Sequence, residues 1–181
     1  DKVIVITGGG GVLCGAFAEE LARHGAKVAL LDMNLEAAQK AAEKINGAGG
    51  TARAYQANVL DMNILLDVKK RVTADLGACD ILINGAGGNN PKATTDKEYY
   101  FDGDLGSDIK TFFDLDKVSF SFVFDLNIMG TVIPTQVFAR DMLGKSGCSI
   151  LNISSMNAFK QLTKIPAYSA AKSGVSNFTQ W

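Results

Sequence analysis

The chain has 181 residues, a net charge of −1, 47% hydrophobic and 20% charged residues. That length suits one domain with a substantial core, and the balanced charge gives no reason to expect nucleic acid or a membrane surface as partner. No apolar run approaches the roughly 20 residues that span a bilayer.

In chain order, "KVIVITGGGG" reads as a buried strand running into glycines, and "AFAEELARHG" as a helix stopped by Gly25, with His24 on its surface. "AKVALLD" is a second strand, and "NLEAAQKAAEKINGAGG" a helix with Asn34 as N-cap. "TARAYQANV" is a third strand. "DMNILLDVKKRVTADLG" is an amphipathic helix with Leu65, Val68, Val72 and Leu76 on one face. "DILINGAGG" is a fourth strand, and residues 88–115 are irregular. A long helical segment follows, with a kink expected near Gly130 and Pro134. "CSILNISS" is a fifth strand, and "PAYSAAKSGVSNFTQW" opens a last helix with Pro166 in its first turn.

Apolar strands alternating with helices predict an α/β fold: a Rossmann-type doubly wound parallel sheet with helices on both faces. The reading is a single nucleotide-binding domain over 1–181 with an irregular insertion at 88–115. In the order 3-2-1-4-5 the fifth strand would be a long apolar edge. The expectation is therefore a fragment, with its C-terminal part missing and its true N-terminus absent. "DGDLGSD" lacks the third acid and closing Glu of a calcium loop, so a solvated acidic loop and no metal site are expected. Cys14, Cys79 and Cys148 are scattered and odd in number, which points to a reducing, cytoplasmic setting.

"TGGGGVLCG" falls where the first strand meets the first helix. Gly8, Gly11 and Val12 would bring backbone N–H groups to a pyrophosphate. Cys14 stands where a third glycine is expected; at a helix N-terminus it is also a candidate for thiol reactivity. Asp32, ending the second strand, would accept from adenosine ribose hydroxyls and repel a 2′-phosphate, favouring NAD over NADP. Asn58, Val59, Asn84, Ala86 and Gly87 lie at carboxyl ends of strands, where ligands bind in such sheets, and Asn58 is a candidate for the adenine.

Near the C-terminus Tyr168 and Lys172 stand one helical turn apart, with Ser155 upstream and Ser154 a weaker alternative. Hydride reduction of a carbonyl needs an acid at its oxygen, and the reverse needs a base. A phenol titrating near 10 is a poor base at neutral pH, and an adjacent ammonium favours its anion.

Thr7-Gly8 with the glycine turn, "NGAG", Asn127, Ser155 and Tyr168-x-x-x-Lys172 together resemble the short-chain dehydrogenase/reductase family over the whole chain. The resemblance implies an NAD-dependent oxidoreductase acting on CH–OH groups. Asn127, Ser155, Tyr168 and Lys172 would be catalytic: Tyr168 as acid/base, Ser155 orienting the substrate oxygen, Lys172 also holding the nicotinamide ribose, and Asn127 anchoring a water. "NGAGGNNPKATTD", "TFFDLD" and the stretch from "NISSM" onward are similar to the family's D-mannonate oxidoreductase (fructuronate reductase) subgroup. That implies a sugar-acid substrate, D-fructuronate/D-mannonate. Ser155, Tyr168, Asn89, Asn90, Lys92, Asn157 and Lys164 become candidate substrate contacts. A homotetramer or homodimer through the helices of Asn127 and Tyr168 is also implied. Gluconate 5-dehydrogenase or 3-oxoacyl reductase activity, and a non-catalytic nucleotide-binding scaffold, stay open as alternatives.

Overall fold

A computed structural model describes residues 1–181, which form two compact units. The first comprises Asp1–Ala86 and Gly130–Ile153, the second Gly87–Met129 and Ser154–Trp181.

The first unit holds β1 (Val3–Thr7), α1 (Val12–Arg23), β2 (Lys27–Asp32), α2 (Leu35–Gly47), β3 (Thr51–Gln56), α3 (Met62–Asp75) and β4 (Ile81–Asn84). The second holds α4 (Lys117–Phe124) and a π turn, Asp125–Met129. The chain then gives α5 (Gly130–Phe138) and β5 (Ser149–Asn152) to the first unit, and α6 (Pro166–Gln180) to the second.

All five strands are parallel, in the order β3-β2-β1-β4-β5. Strands buried on both faces read as unbroken apolar runs. Accordingly Val5 and Leu82 point to a core shared with α3 and α5, and Ile4 and Ile6 to one shared with α1 and α2. Each such side chain contributes roughly 1.5–3 kcal/mol by leaving water. β5 lies at the sheet's edge, with Leu151 exposed.

Most helix signals act as expected. Asn34 caps α2, its Oδ1 accepting from the Ala37 N–H at 3.1 Å, and Asp61 caps α3. Pro166 occupies the first turn of α6. His24 lies exposed beside Glu20 at 3.0 Å. Helix α1 starts at Val12, earlier than its apolar spacing suggests, because Gly11 is extended and the helix follows the turn directly. The distortion expected near Gly130 and Pro134 lies just before them, as the π turn Asp125–Met129. Pro134 sits inside α5.

One membrane-related expectation needs correction. Helical structure runs from Lys117 to Met142, 26 residues with hydropathy 1.3, long and apolar enough to cross a membrane by length and composition. Scattered polar residues such as Ser119 and Asn127 hide it from a search for unbroken runs. It carries core residues: Val137 and Phe138 are buried in the first unit, and Val123 in the second.

The irregular segment 88–115 is not merely a solvated acidic loop. Its carboxylates replace secondary structure as backbone partners. Asp96 accepts from the Lys110 N–H at 2.7 Å, and Asp104 from the Phe101 N–H at 2.9 Å and Lys97 Nζ at 2.6 Å. Asp114 accepts from the Thr111 N–H at 2.8 Å and its hydroxyl at 2.7 Å. The Lys97 hydrogen bond holds the Asp104 carboxyl below the usual carboxylate range, and the Thr111 hydroxyl does the same for Asp114. A carboxyl lowered by folding contributes stability above its unfolded pKa and loses it as pH falls through the folded one. Pepsin cleavage within 96–116 therefore accelerates as pH falls from about 4 to about 2, and Asp104→Asn cleaves fast throughout. A flat cleavage profile would show that these bonds do not hold the segment.

Candidate functional site

In the first unit the glycine turn is held by backbone and by one side chain, Asp32. The Gly11 N–H donates to the Gly8 carbonyl at 3.0 Å, and the Gly9 N–H to the Leu31 carbonyl at 3.1 Å. Asp32 Oδ2 accepts from the Gly10 N–H at 2.9 Å, and Oδ1 from the Asn34 N–H at 2.9 Å. Asp32 thus fixes the turn and keeps lone pairs for a further donor. Thr7 Oγ1 accepts from both the Gly85 and Ala86 N–H groups at 3.1 Å, joining the ends of β1 and β4.

Three glycines in this turn are required by crowding, Gly9 among them, where a Cβ would lie 2.9 Å from Leu30 Cβ. A Cβ on Gly8, where φ is +70°, would lie 3.0 Å from Ala86 N, and one on Gly10 would lie 2.8 Å from Ala37 Cβ. The first turn of α1 has no side-chain cap and no acid, and Val12 is 95% exposed. Backbone N–H groups and the helix dipole there can hold a phosphate.

Cys14 is buried, so its thiol is poorly placed for the reactivity expected of it. Its Sγ occupies the space a Cβ on Gly85 would need. The glycine missing from the turn at position 14 is thus matched by one at the end of β4. That pairing is between distant parts of the chain, and no local sequence signal announces it.

Asn84 is buried, and its Nδ2 donates to Thr135 Oγ1 at 2.9 Å and Asn152 Oδ1 at 2.8 Å. It ties β4 to its surroundings, while its Oδ1 has no partner. Asn58 Oδ1 accepts from the Leu60 N–H at 3.0 Å, leaving its amide nitrogen for an adenine contact; Val59 beside it is buried.

The second unit brings Gly87, Asn127, Tyr168 and Lys172 together. Lys172 is 5% exposed, and its Nζ lies 5.7 Å from the centre of the Tyr168 ring. A Cβ on Gly87 would lie 2.7 Å from Asn127 Oδ1 and 3.2 Å from Lys172 Nζ. Asn127 is fully buried in the π turn, a distortion often found at functional sites. Its Nδ2 donates to the carbonyls of Gly88 at 2.7 Å and Val123 at 2.8 Å, and its Oδ1 accepts from the Gly88 N–H at 3.2 Å. The amide therefore clamps the backbone that begins the 88–115 segment.

The adjacent serines separate by role. Ser154 Oγ bonds Ser176 Oγ at 2.6 Å and the Lys172 carbonyl at 3.2 Å, a structural position against α6. Ser155 Oγ accepts only the Asn157 N–H, at 3.2 Å, so its proton is available to a ligand. Asn157 is buried with its Oδ1 unpartnered. Asn89 is exposed and donates to Thr94 Oγ1 at 2.8 Å; Asn90 caps the turn at Lys92. Those bonds make Asn89, Asn90 and Lys92 parts of the segment's own scaffold.

The family model for short chain dehydrogenases matches residues 2–181. An uncharacterised oxidoreductase of Haemophilus influenzae is 60% identical over 181 residues, covering 100% of this chain and 63% of that protein. The uncharacterised oxidoreductase UxuB of Bacillus subtilis is 48% identical over 180 residues, covering 99% and 64%. A crystal structure from Haemophilus influenza, described as a candidate D-mannonate oxidoreductase with bound NAD, superimposes with a TM-score of 0.97 at 60% identity, covering 99% of this chain and 64% of that one. NAD+-bound xylitol dehydrogenase superimposes with a TM-score of 0.85 at 28% identity, covering 99% and 62%. The chain thus spans less than two thirds of the length of these relatives.

Proposed function

The chain belongs to the short chain dehydrogenase family, and from that premise we propose an NAD-dependent oxidoreductase that interconverts a sugar-acid carbonyl and its alcohol, D-fructuronate and D-mannonate. The observation that carries the reading is the buried Lys172 ammonium 5.7 Å from the Tyr168 ring.

The residues present fit a dinucleotide. The crowded glycines at Gly8 and Gly10, the uncapped start of α1 and the spare capacity of Asp32 suit a pyrophosphate and a ribose diol. No lysine or arginine follows Asp32 directly, so a 2′-phosphate there would meet an uncompensated carboxylate. When bound, the cofactor supplies or accepts the hydride.

The remaining chemistry belongs to the second unit. Tyr168 Oη gives a proton to the carbonyl oxygen in reduction and takes it back in oxidation. Lys172 places its charge beside the Tyr168 ring, and Ser155 Oγ donates to the same substrate oxygen. Asn127 holds the Gly88 backbone and so fixes the entry to the 88–115 segment. The same reading extends to a homo-oligomer in a reducing, cytoplasmic setting.

The NAD-bound candidate D-mannonate oxidoreductase at 60% identity supports both the cofactor and the substrate class. The deciding assay is NADH oxidation by the full-length protein with D-fructuronate, against 5-ketogluconate and a 3-oxoacyl thioester. Preference for either of the latter would overturn the substrate named here.

A further inference from the structure

We infer that Lys164 is the anchor for the substrate's carboxylate and selects sugar acids over neutral sugars; this rests on the oxidoreductase reading above and names the group recognised. In the second unit a cleft of about 490 Å³ lies between the 88–115 segment and the approach to α6. Its wall includes Thr95, Glu98, Phe112, Lys164, Ser169 and Ser173, and Lys164 is its single cation.

Lys164 is half-buried, yet no carboxylate of this chain pairs with it. Partly desolvated charges are ordinarily paired, so an ammonium that forms no ion pair, even with Glu98 in the same cleft, leaves room for an anion from outside. Its backbone is fixed as well. Lys164 is the one non-glycine residue with positive φ, +73°, and its carbonyl accepts the Thr95 N–H at 2.9 Å. A lysine side chain rarely adopts that region, and here the bond to Thr95 holds it there.

A second observation points to a hydroxylated ligand. Thr95, Thr163 and Ser173 also line the cleft, so hydroxyl-bearing residues surround Lys164. The exposed ring of Phe112 offers an apolar face for sugar C–H groups. One cation, one carboxylate, several hydroxyls and one aromatic face make a polar cleft that suits a sugar acid better than a steroid or an acyl chain.

The test uses the full-length protein saturated with NADH. Calorimetric Kd values are measured for D-mannonate and neutral mannitol, and KM and kcat for D-fructuronate. Lys164→Met removes the ammonium; Lys164→Gly removes it while accepting the left-handed backbone without strain. Both raise the D-mannonate Kd and the D-fructuronate KM by about 30-fold, the weight of one charge-assisted contact. The value of kcat stays within about threefold, mannitol binding and the NADH Kd do not move, and Lys164→Arg recovers most of the loss.

Unchanged D-mannonate binding in both variants, or equal weakening of mannitol, would overturn the assignment. If the wild type turns over a different carbonyl acid, the substrate named above fails. The Lys164 inference then stands or falls on whether that acid's KM rises in Lys164→Gly.

Discussion

Tyr168→Phe lowers D-fructuronate turnover by the full-length enzyme about 10³-fold, and NADH binds as before. General acid–base catalysis contributes roughly 10²–10⁴-fold, and the variant deletes only the hydroxyl proposed to perform it. The ring itself is retained. It packs partly buried against Ala93, Val123, Ala167 and Ala171, so Phe keeps those contacts and thermal stability changes little. The loss should appear in kcat and kcat/KM together, as for an interaction made in the transition state. Ser155→Ala should lose less, because the role proposed for Ser155 Oγ is to polarise an oxygen and not to exchange its proton; the variant also gives up the bond to the Asn157 N–H. Stopped-flow NADH fluorescence separates binding from turnover. A Tyr168→Phe enzyme as active as wild type would remove Tyr168 from the mechanism.

Local chemistry explains what the sequence reveals. Strands β1 and β2 are covered on both faces, so Val3–Ile6 and Val28–Leu31 stand out as apolar runs. Asn34 and Asp61 cap with their own side chains, which places two helix starts within a residue. Tyr168 and Lys172 are one turn apart, so their juxtaposition follows from helix geometry alone.

What stays hidden depends on distant partners. Segment 88–115 is ordered by carboxylates such as Asp96, whose partner, the Lys110 N–H, lies well along the chain. From the letters alone, the same acids look solvated. The π turn is equally silent, because Asp125–Met129 carries the same apolar spacing as the helix around it. Asn127 can be read as a site residue; that its amide grips both backbone groups of Gly88 cannot.

Gly85→Ala destabilises the protein by about 3 kcal/mol, at the upper end for an overpacked site. The new methyl would fall on Cys14 Sγ and lie 2.9 Å from the Thr7 carbonyl oxygen. Neither can retreat easily: Cys14 is buried on α1, and Thr7 belongs to β1 while its Oγ1 receives the Gly85 and Ala86 N–H groups. Cys14→Ala alone costs about 1 kcal/mol for the buried volume removed. Combining the two lets one methyl occupy part of the space the sulfur leaves. The double variant should therefore be more stable than the sum of the single effects by about 1–2 kcal/mol, as expected for residues in contact. Urea unfolding of the four proteins in the cycle measures that coupling. Strict additivity would mean that the sulfur does not occupy the space beside Gly85, and the account of why this turn tolerates a cysteine in place of glycine would fail. Residual loss in the double variant is expected too, since the approach to the Thr7 carbonyl remains. Because the contact joins the start of α1 to the end of β4, NADH affinity should fall in Gly85→Ala and recover in the double variant in parallel with stability.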